Sequence, residues 1–187
     1  MTRDERPATL AAVEAAVWQE LVHAAQDRRH AWRTPVLATG LADGADARVV
    51  VLREVDAPTR TLVFYTDTRS GKVAQLLEQP AATVVMWSPA LGWQLRCRVQ
   101  LHLDTQGVSV LSRWARLKLS PAAQDYLSPL PPGSVIDTPT PAVLSRDDRG
   151  HFGVIYARVR SLDWLELHPD GHRRARFDAE GARWLQP

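Results

Sequence analysis

Apolar residues recur at Leu10, Val13, Ala16, Val17, Leu21 and Ala24, a spacing of three and four that gathers them on one stripe of an α-helix. The predicted helix spans about residues 9–28, with Thr9 or a neighbour as its N-cap. Arg33-Thr34-Pro35 ends that region. From Val36 the period shortens to two, in runs at 36–39, 49–53, 62–65, 83–87 and 94–103, separated by Gly, Asp and Pro turns. The alternation is clearest in the last of these, where Gln94, Arg96, Arg98, Gln100 and His102 interleave with Leu95, Cys97, Val99, Leu101 and Leu103. One face of that strand is apolar and the other polar. Helices are predicted at 71–78 and 108–119, and they interrupt the strands without making a βαβ alternation. Runs at 152–167, 173–177 and 183–185 bring the total to about eight strands. The pattern predicts a mainly β (α+β) fold, an antiparallel barrel with peripheral helices.

A proline-rich stretch, Ser128-Pro129-Leu130-Pro131-Pro132-Gly133, continues through Thr138-Pro139-Thr140-Pro141. It reads as a loop over the barrel and not as a domain boundary. The expectation is therefore one domain over residues 1–187, a helix at about 9–28 followed by a barrel at about 34–187. A chain of 187 residues can bury a core without disulfide or metal staples. Apolar residues at 45% and charged residues at 24% are the balance of a soluble globular protein. No apolar run approaches the roughly 20 residues that span a bilayer. The opening Met1-Thr2-Arg3-Asp4-Glu5-Arg6-Pro7 carries acids and no apolar core, so the expected location is cytoplasmic, with no membrane partner. A formal charge of +2 gives nucleic-acid binding little support. The single cysteine, Cys97, lies on the apolar face of its strand and reads as a small buried hydrophobe.

The candidate chemistry lies in three segments. Arg48-Val49-Val50-Val51-Leu52-Arg53 brackets four aliphatic residues with two cations. In a flat strand a separation of five puts the two arginines on opposite faces, so they share a pocket only if the strand bends. The alternative is that one face carries Arg48 to a phosphate, the backbone of residues 50–52 contacts a flat ring, and Arg53 faces a second anion. Tyr65-Thr66-Asp67-Thr68-Arg69-Ser70-Gly71-Lys72 places Arg69, Ser70 and Lys72 where a strand turns into a helix. The free N–H groups of a helix N-terminus favour phosphate, Ser70 can cap, and Lys72 can add a charge-assisted bond. Thr66 stands where a Walker loop needs glycine, which argues against a nucleotide triphosphatase. Gln94, at the start of its strand, offers an amide that donates and accepts along the edge of a flavin or pterin ring. Together the segments read as a site for a phosphorylated planar ligand.

The three motifs, Arg-x-Val-x-Leu-Arg, Tyr-Thr-Asp-x-Arg-Ser-x-Lys and Trp-Gln-x-Arg in this order, resemble the pyridoxamine 5′-phosphate oxidase superfamily. The resemblance runs from about 36 to 177 and is nearest to the oxidase-related branch with Thr-Asp-x-Arg-Ser-x-Lys. It implies a split β-barrel and a homodimer that binds FMN at the subunit interface. By position, Arg48 and Lys72 would hold the FMN phosphate with help from Arg69 and Ser70. Val49, Val50, Val51, Leu52 and Arg53, with Tyr65 and Thr66, would line the cofactor, and Gln94 would meet the ring from the other subunit. Arg176, before Phe177, aligns with an arginine that reaches the flavin.

On the substrate side the resemblance implies Arg53, Arg116, Ser120 and Arg174. Ser112 stands where B6 oxidases carry a tyrosine four residues before Arg116, and His172, Arg173 and Arg174 lie near an Arg-x-His pair without reproducing it. The function implied is an FMN-dependent oxidoreductase acting on a small, anionic substrate. It needs no catalytic side-chain nucleophile and no metal, because the flavin carries the chemistry. Two alternatives stay open: an NAD(P)H-dependent flavin reductase of the same barrel class, and a non-enzymatic module that holds flavin or haem. His102 and His151 are the candidate haem ligands, and Trp87, Trp93 and Trp114 are available either to stack on a ring or to pack.

Overall fold

The computed structural model describes residues 6–138 and 150–187. Helix α1 (Leu10–Gln26) leads into strands β1 (Val36–Leu41), β2 (Gly44–Val49), β3 (Leu52–Asp56) and β4 (Thr61–Asp67). After α2 (Gly71–Glu78) come β5 (Ala81–Ser88), β6 (Trp93–Asp104), α3 (Val108–Leu117), β7 (Phe152–Glu166), β8 (Arg173–Asp178) and β9 (Gly181–Leu185). Every strand pairing among these is antiparallel, in the order β2-β1-β5-β6-β7-β4-β3, with β8 and β9 continuing from β7. The class is the expected one, mostly antiparallel β with a few helices.

The strand expected at 49–53 is two strands. Val50 and Val51 belong to neither β2 nor β3, and the Val50 N–H donates to the Pro35 carbonyl at 2.9 Å. The break lets β2 pair with β1 and β3 pair with β4 at the far end of the sheet, so two chain-adjacent strands form opposite edges. The break gives nine strands among the described residues where about eight were expected. No glycine or proline marks the break, which is why the pattern read it as continuous. The short 3-10 turn at Pro121–Tyr126 was also not expected. The proline-rich stretch runs as a loop as far as residue 138, and Pro139, Thr140 and Pro141 lie outside the described residues.

Two cores hold the sheet. The main one fills the barrel with Leu37, Leu52, Phe64, Val84, Met86, Leu95, Cys97, Ile155 and Trp164, and α1 closes it with Val13, Val17, Leu21 and Ala24. The smaller one lies outside the barrel, where Val110, Trp114 and Leu117 of α3 and Tyr126 of the 3-10 turn cover Val63, Phe152 and Val154. Successive residues of β4 therefore face different cores: Leu62 and Phe64 the barrel, Val63 and Tyr65 the α3 side. Thr9 caps α1 as the sequence indicates, its hydroxyl accepting the Ala12 N–H at 3.2 Å. Thr9→Ala should cost about 1 kcal/mol, measured as a lowered urea midpoint at unchanged slope. Among the described residues no helix is long and apolar enough to cross a membrane.

Candidate functional site

Arg48 leaves β2 toward α2 and is held by a dense set of acceptors. One terminal nitrogen donates to the Thr39 hydroxyl at 2.6 Å and the Leu37 carbonyl at 3.2 Å. The other donates to Gln75 Oε1 at 2.8 Å and to the Asp46 carboxylate. Gln75, on α2, also donates to Asp46 at 3.0 Å. These bonds fix the guanidinium beside the helix. Thr39, Asp46 and Gln75 carry no motif, so sequence reasoning missed them.

Lys72 enters the same corner from the first turn of α2. Its ammonium donates to Thr66 Oγ1 at 3.2 Å and Ser70 Oγ at 3.0 Å. Both hydroxyls send their own protons to the Asp67 carbonyl, at 3.0 and 2.8 Å, so their lone pairs face the lysine. Among the described residues Lys72 has no ion pair. Its pKa is lowered by burial and then by the charge of Arg48, with Asp67 acting in the other direction. Two cations have been brought together with no carboxylate on the second of them. Ser70 stands at the N-cap of α2, but its side chain makes no capping bond. A Cβ added to the neighbouring Gly71 would meet nothing within 4 Å, so open space lies before the helix end. An anion there would meet both cations and the unpaired N–H groups of the first turn.

Arg69 is engaged elsewhere. It grips the buried Asp67 carboxylate through Nε at 3.1 Å and a terminal nitrogen at 2.7 Å, and it donates to the carbonyls of Ser128 and Pro129 at 2.7 and 3.2 Å. It ties the proline-rich loop to the β4–α2 turn. Val49 is exposed, Leu52 is sealed in the core, and Val50 and Val51 form the break between strands. Of these four residues Val49 is exposed and Val51 half-buried, so their side chains, with backbone, are what a ligand can reach. Thr66 points to Lys72, and Tyr65 points the other way.

On that other side Arg53 lies over the Tyr65 ring, 5.3 Å from its centroid, and approaches the Tyr126 hydroxyl at 3.4 Å. Its Nε is buried without a partner among the described residues. The Tyr65 hydroxyl donates to Glu54 at 2.9 Å, and Arg113 clasps the same carboxylate through Nε at 3.0 Å and a terminal nitrogen at 2.6 Å. Burial, and then the Glu54 charge, raise the Tyr65 phenol well above its ordinary value. Glu54, Arg113 and Tyr126 went unread in the sequence. Arg116 is exposed on α3, and Ser120 turns its hydroxyl to the Leu117 carbonyl at 2.8 Å.

A third cluster sits on the outer face of β6, β7 and β8. Gln94, half-buried, is paired in register with Leu165 and with Trp87, which is exposed. Two residues along β6, Arg96 donates to Asp163 at 2.8 Å. From β8, Arg174 donates to the same carboxylate at 3.0 and 2.9 Å and Arg176 at 3.1 Å. Burial would raise the Asp163 carboxyl, but bonds from Arg174, Arg96 and Arg176 hold it down to about 2, from 3.8. An acid with a depressed folded pKa binds fewer protons folded than unfolded. Its stabilisation is complete above about pH 4 and is lost as pH falls through the folded value. Asp163→Asn should therefore flatten the fall in urea midpoint between about pH 4 and pH 2, and an unchanged slope would contradict the assignment.

The remaining candidates are structural. Cys97 is buried, its thiol pushed up to about 12 by burial, and it serves as core. Trp93 packs between Trp32 and Trp164, and Trp114 packs on Phe152. His102 bonds Asp104 at 2.8 Å on an exposed strand end, and His151 is exposed in the turn before β7. Glu20, His23 and His30 bring ligand-type atoms within 4.8 Å of one another. His30 Nδ1, however, accepts the Trp32 N–H at 3.1 Å, which leaves the proton of a neutral ring on Nε2, 2.9 Å from Glu20. That nitrogen donates and does not ligate.

Residues 15–104 match the family model described as pyridoxamine 5′-phosphate oxidase, FMN-binding domain. No curated protein matches the chain. Among solved structures, a pyridoxamine 5′-phosphate oxidase-related, FMN-binding protein from Nostoc punctiforme PCC 73102 is similar at TM-score 0.73 and 24% identity, over 92% of this chain and 96% of that one. PhzG from Burkholderia lata 383, solved with tetrahydrophenazine-1-carboxylic acid, is similar at TM-score 0.70 and 18% identity, over 98% and 95%. A protein related to general stress protein 26 from Clostridium acetobutylicum is similar at TM-score 0.59 and 10% identity, over 92% and 98%. At these identities the likeness to solved structures establishes the fold, a split barrel. The family match covers Arg48, Lys72 and Gln94, whereas Arg116, Ser120, Arg174 and Arg176 lie beyond it.

Proposed function

We propose, starting from the membership of residues 15–104 in the pyridoxamine 5′-phosphate oxidase-like split-barrel superfamily, that this protein binds FMN and is an FMN-dependent oxidoreductase acting on a small anionic substrate. The observation that carries the reading is the convergence of Arg48 and Lys72 from β2 and α2, with no carboxylate on the lysine. A phosphate dianion is the group that relieves such a pair of cations, and the residues fit it. Arg48 would exchange its bonds to Asp46 and Gln75 for the phosphate, Lys72 would add a point charge, and the first turn of α2 would add backbone N–H groups. Arg69 acts at one remove, holding the loop and the β4–α2 turn in place through Asp67 and the Ser128 and Pro129 carbonyls.

When bound, the isoalloxazine would accept a hydride equivalent from the substrate and pass electrons to an acceptor. The chain would orient the ring. Between β2 and β3 the chain passes through Val50, whose N–H is taken by the Pro35 carbonyl, and Val51, and Gln94 and the exposed Trp87 stand together on the outer face. We assign Gln94 to the ring of a second copy, so the working unit is a homodimer. The exposed Val49 and Trp87, at 63% and 44%, support burial of this face against that copy. Arg53, with a buried unpaired Nε, is the group on the α3 side positioned to meet a substrate anion.

The visible spectrum of the purified protein, followed by heat release of cofactor, tests the reading. FMN near one per subunit is expected. A colourless protein that also refuses added FMN would overturn it. Bleaching of the bound flavin by NAD(P)H without oxygen would move the assignment to a flavin reductase.

A further inference from the structure

We propose that the arginine cluster around Asp163 is a second oxyanion site, taking the carboxylate or phosphate group of a small substrate. Its place beside the flavin rests on the reading above, while its anion binding does not. Three guanidiniums, of Arg96, Arg174 and Arg176, converge on one carboxylate that is almost wholly buried. A single carboxylate cannot satisfy them. Arg174 is fully turned to Asp163, using Nε and a terminal nitrogen. Arg96 and Arg176 each give Asp163 one terminal nitrogen. The Arg96 Nε is buried with no partner among the described residues. The other terminal nitrogen of each of these two arginines makes no hydrogen bond among the described residues and can donate to an oxyanion.

Arg96 and Arg176, both partly exposed, line a cleft of about 130 Å³ together with Thr83, Arg98, Ser161 and Asp163. That volume suits an acid group and not a nucleotide. Arg98 is exposed and has no hydrogen bond or ion pair among the described residues, so it adds a fourth cation to the rim. Thr83 and Ser161, in register with Arg98 on the neighbouring strands, add hydroxyls. The arrangement at Glu166 shows the contrast. There Arg173 uses Nε and both terminal nitrogens on Glu166 and the Pro7 carbonyl, Arg6 and Trp93 complete the set, and the cluster is closed.

Asp163 is a positioning residue in this scheme. It holds the three arginines in one orientation, and its charge keeps the cluster from flying apart when the site is empty. Gln94 lies two residues from Arg96 on the same strand and the same face. An acid group in the cleft would therefore sit next to the ring that Gln94 is assigned to touch.

The test is calorimetric titration of benzoate and, separately, of inorganic phosphate into the full-length protein, with FMN affinity measured on the same samples. Phosphate is titrated in a Lys72→Gln background, where the Arg48–Lys72 corner is disabled. Saturable binding of at least one anion is expected, weakened about tenfold or more in Arg96→Gln and about threefold in Arg98→Gln. Which anion binds identifies the acid group. Arg98, exposed and unbonded, keeps the test valid if Arg96→Gln fails to fold. Absence of binding of both anions, or binding by Arg98→Gln and Arg96→Gln as tight as wild type, overturns the proposal. Anion binding that depends on Arg98 in a protein that refuses FMN would retain this site and remove the flavin; FMN binding without anion binding would do the reverse.

Discussion

Replacing Arg48 with alanine is expected to weaken FMN binding by about one to two orders of magnitude. A hydrogen bond to a charged group contributes roughly 1.5–3 kcal/mol, and every 1.4 kcal/mol is tenfold in affinity. The true loss has two parts, because Arg48 also neutralises Asp46 and donates to Thr39 and Gln75. Without it the Asp46 carboxylate stays beside the phosphate position and repels it. Asp46→Asn in the Arg48→Ala background should recover part of the loss. Arg48→Lys should lose less than alanine, since it retains the charge but not the fork. Titration of apoprotein with FMN, followed by quenching of flavin fluorescence, reads all three. Wild-type affinity in Arg48→Ala would remove the phosphate from this corner.

Trp164→Ala is expected to be the most destabilising of the substitutions considered, at about 3–5 kcal/mol. Trp164 is completely buried, packs edge-on against Trp93 at 5.4 Å between ring centroids, and lies under the Arg173 guanidinium at 5.5 Å. A domain of this kind has a total stability of about 5–15 kcal/mol, so the variant should approach the limit of folding at 37 °C. Its indole Nε1 has no partner among the described residues, so no hydrogen bond is lost on substitution. Trp164→Phe should accordingly cost well under half as much. Urea midpoints compared at constant slope decide the matter, and equal midpoints for wild type and Trp164→Ala would contradict the packing.

Elements with a strong period were legible. Gly71–Glu78 is helical as read, and β6 alternates as its sequence does, with Leu95, Cys97, Val99 and Leu101 inside and Arg98 and His102 outside. The break at Val50 and Val51 was not, because nothing local marks it and only the pairing of β2 with β1 and of β3 with β4 produces it. Cationic motif residues were recognisable by type. Their partners, Asp46, Gln75, Glu54, Arg113, Tyr126 and Asp163, were not, since a residue such as Asp163 lies 67 positions from Arg96.

By itself the sequence determined the fold class, the helix and strand periods and the cations available, because hydrophobic spacing and side-chain chemistry are local properties of the chain. Only the tertiary structure decided which cations meet. It set Lys72 on Thr66 and Ser70, one turn of α2 before the Gln75 that Arg48 bonds, gave Arg69 to Asp67 and the proline-rich loop, and turned Tyr65 away from Thr66. It also gathered Arg96, Arg174 and Arg176 on Asp163. The reason is that a guanidinium takes whichever acceptor the sheet register brings within about 3 Å, and register is set by the pairing of strands distant in sequence.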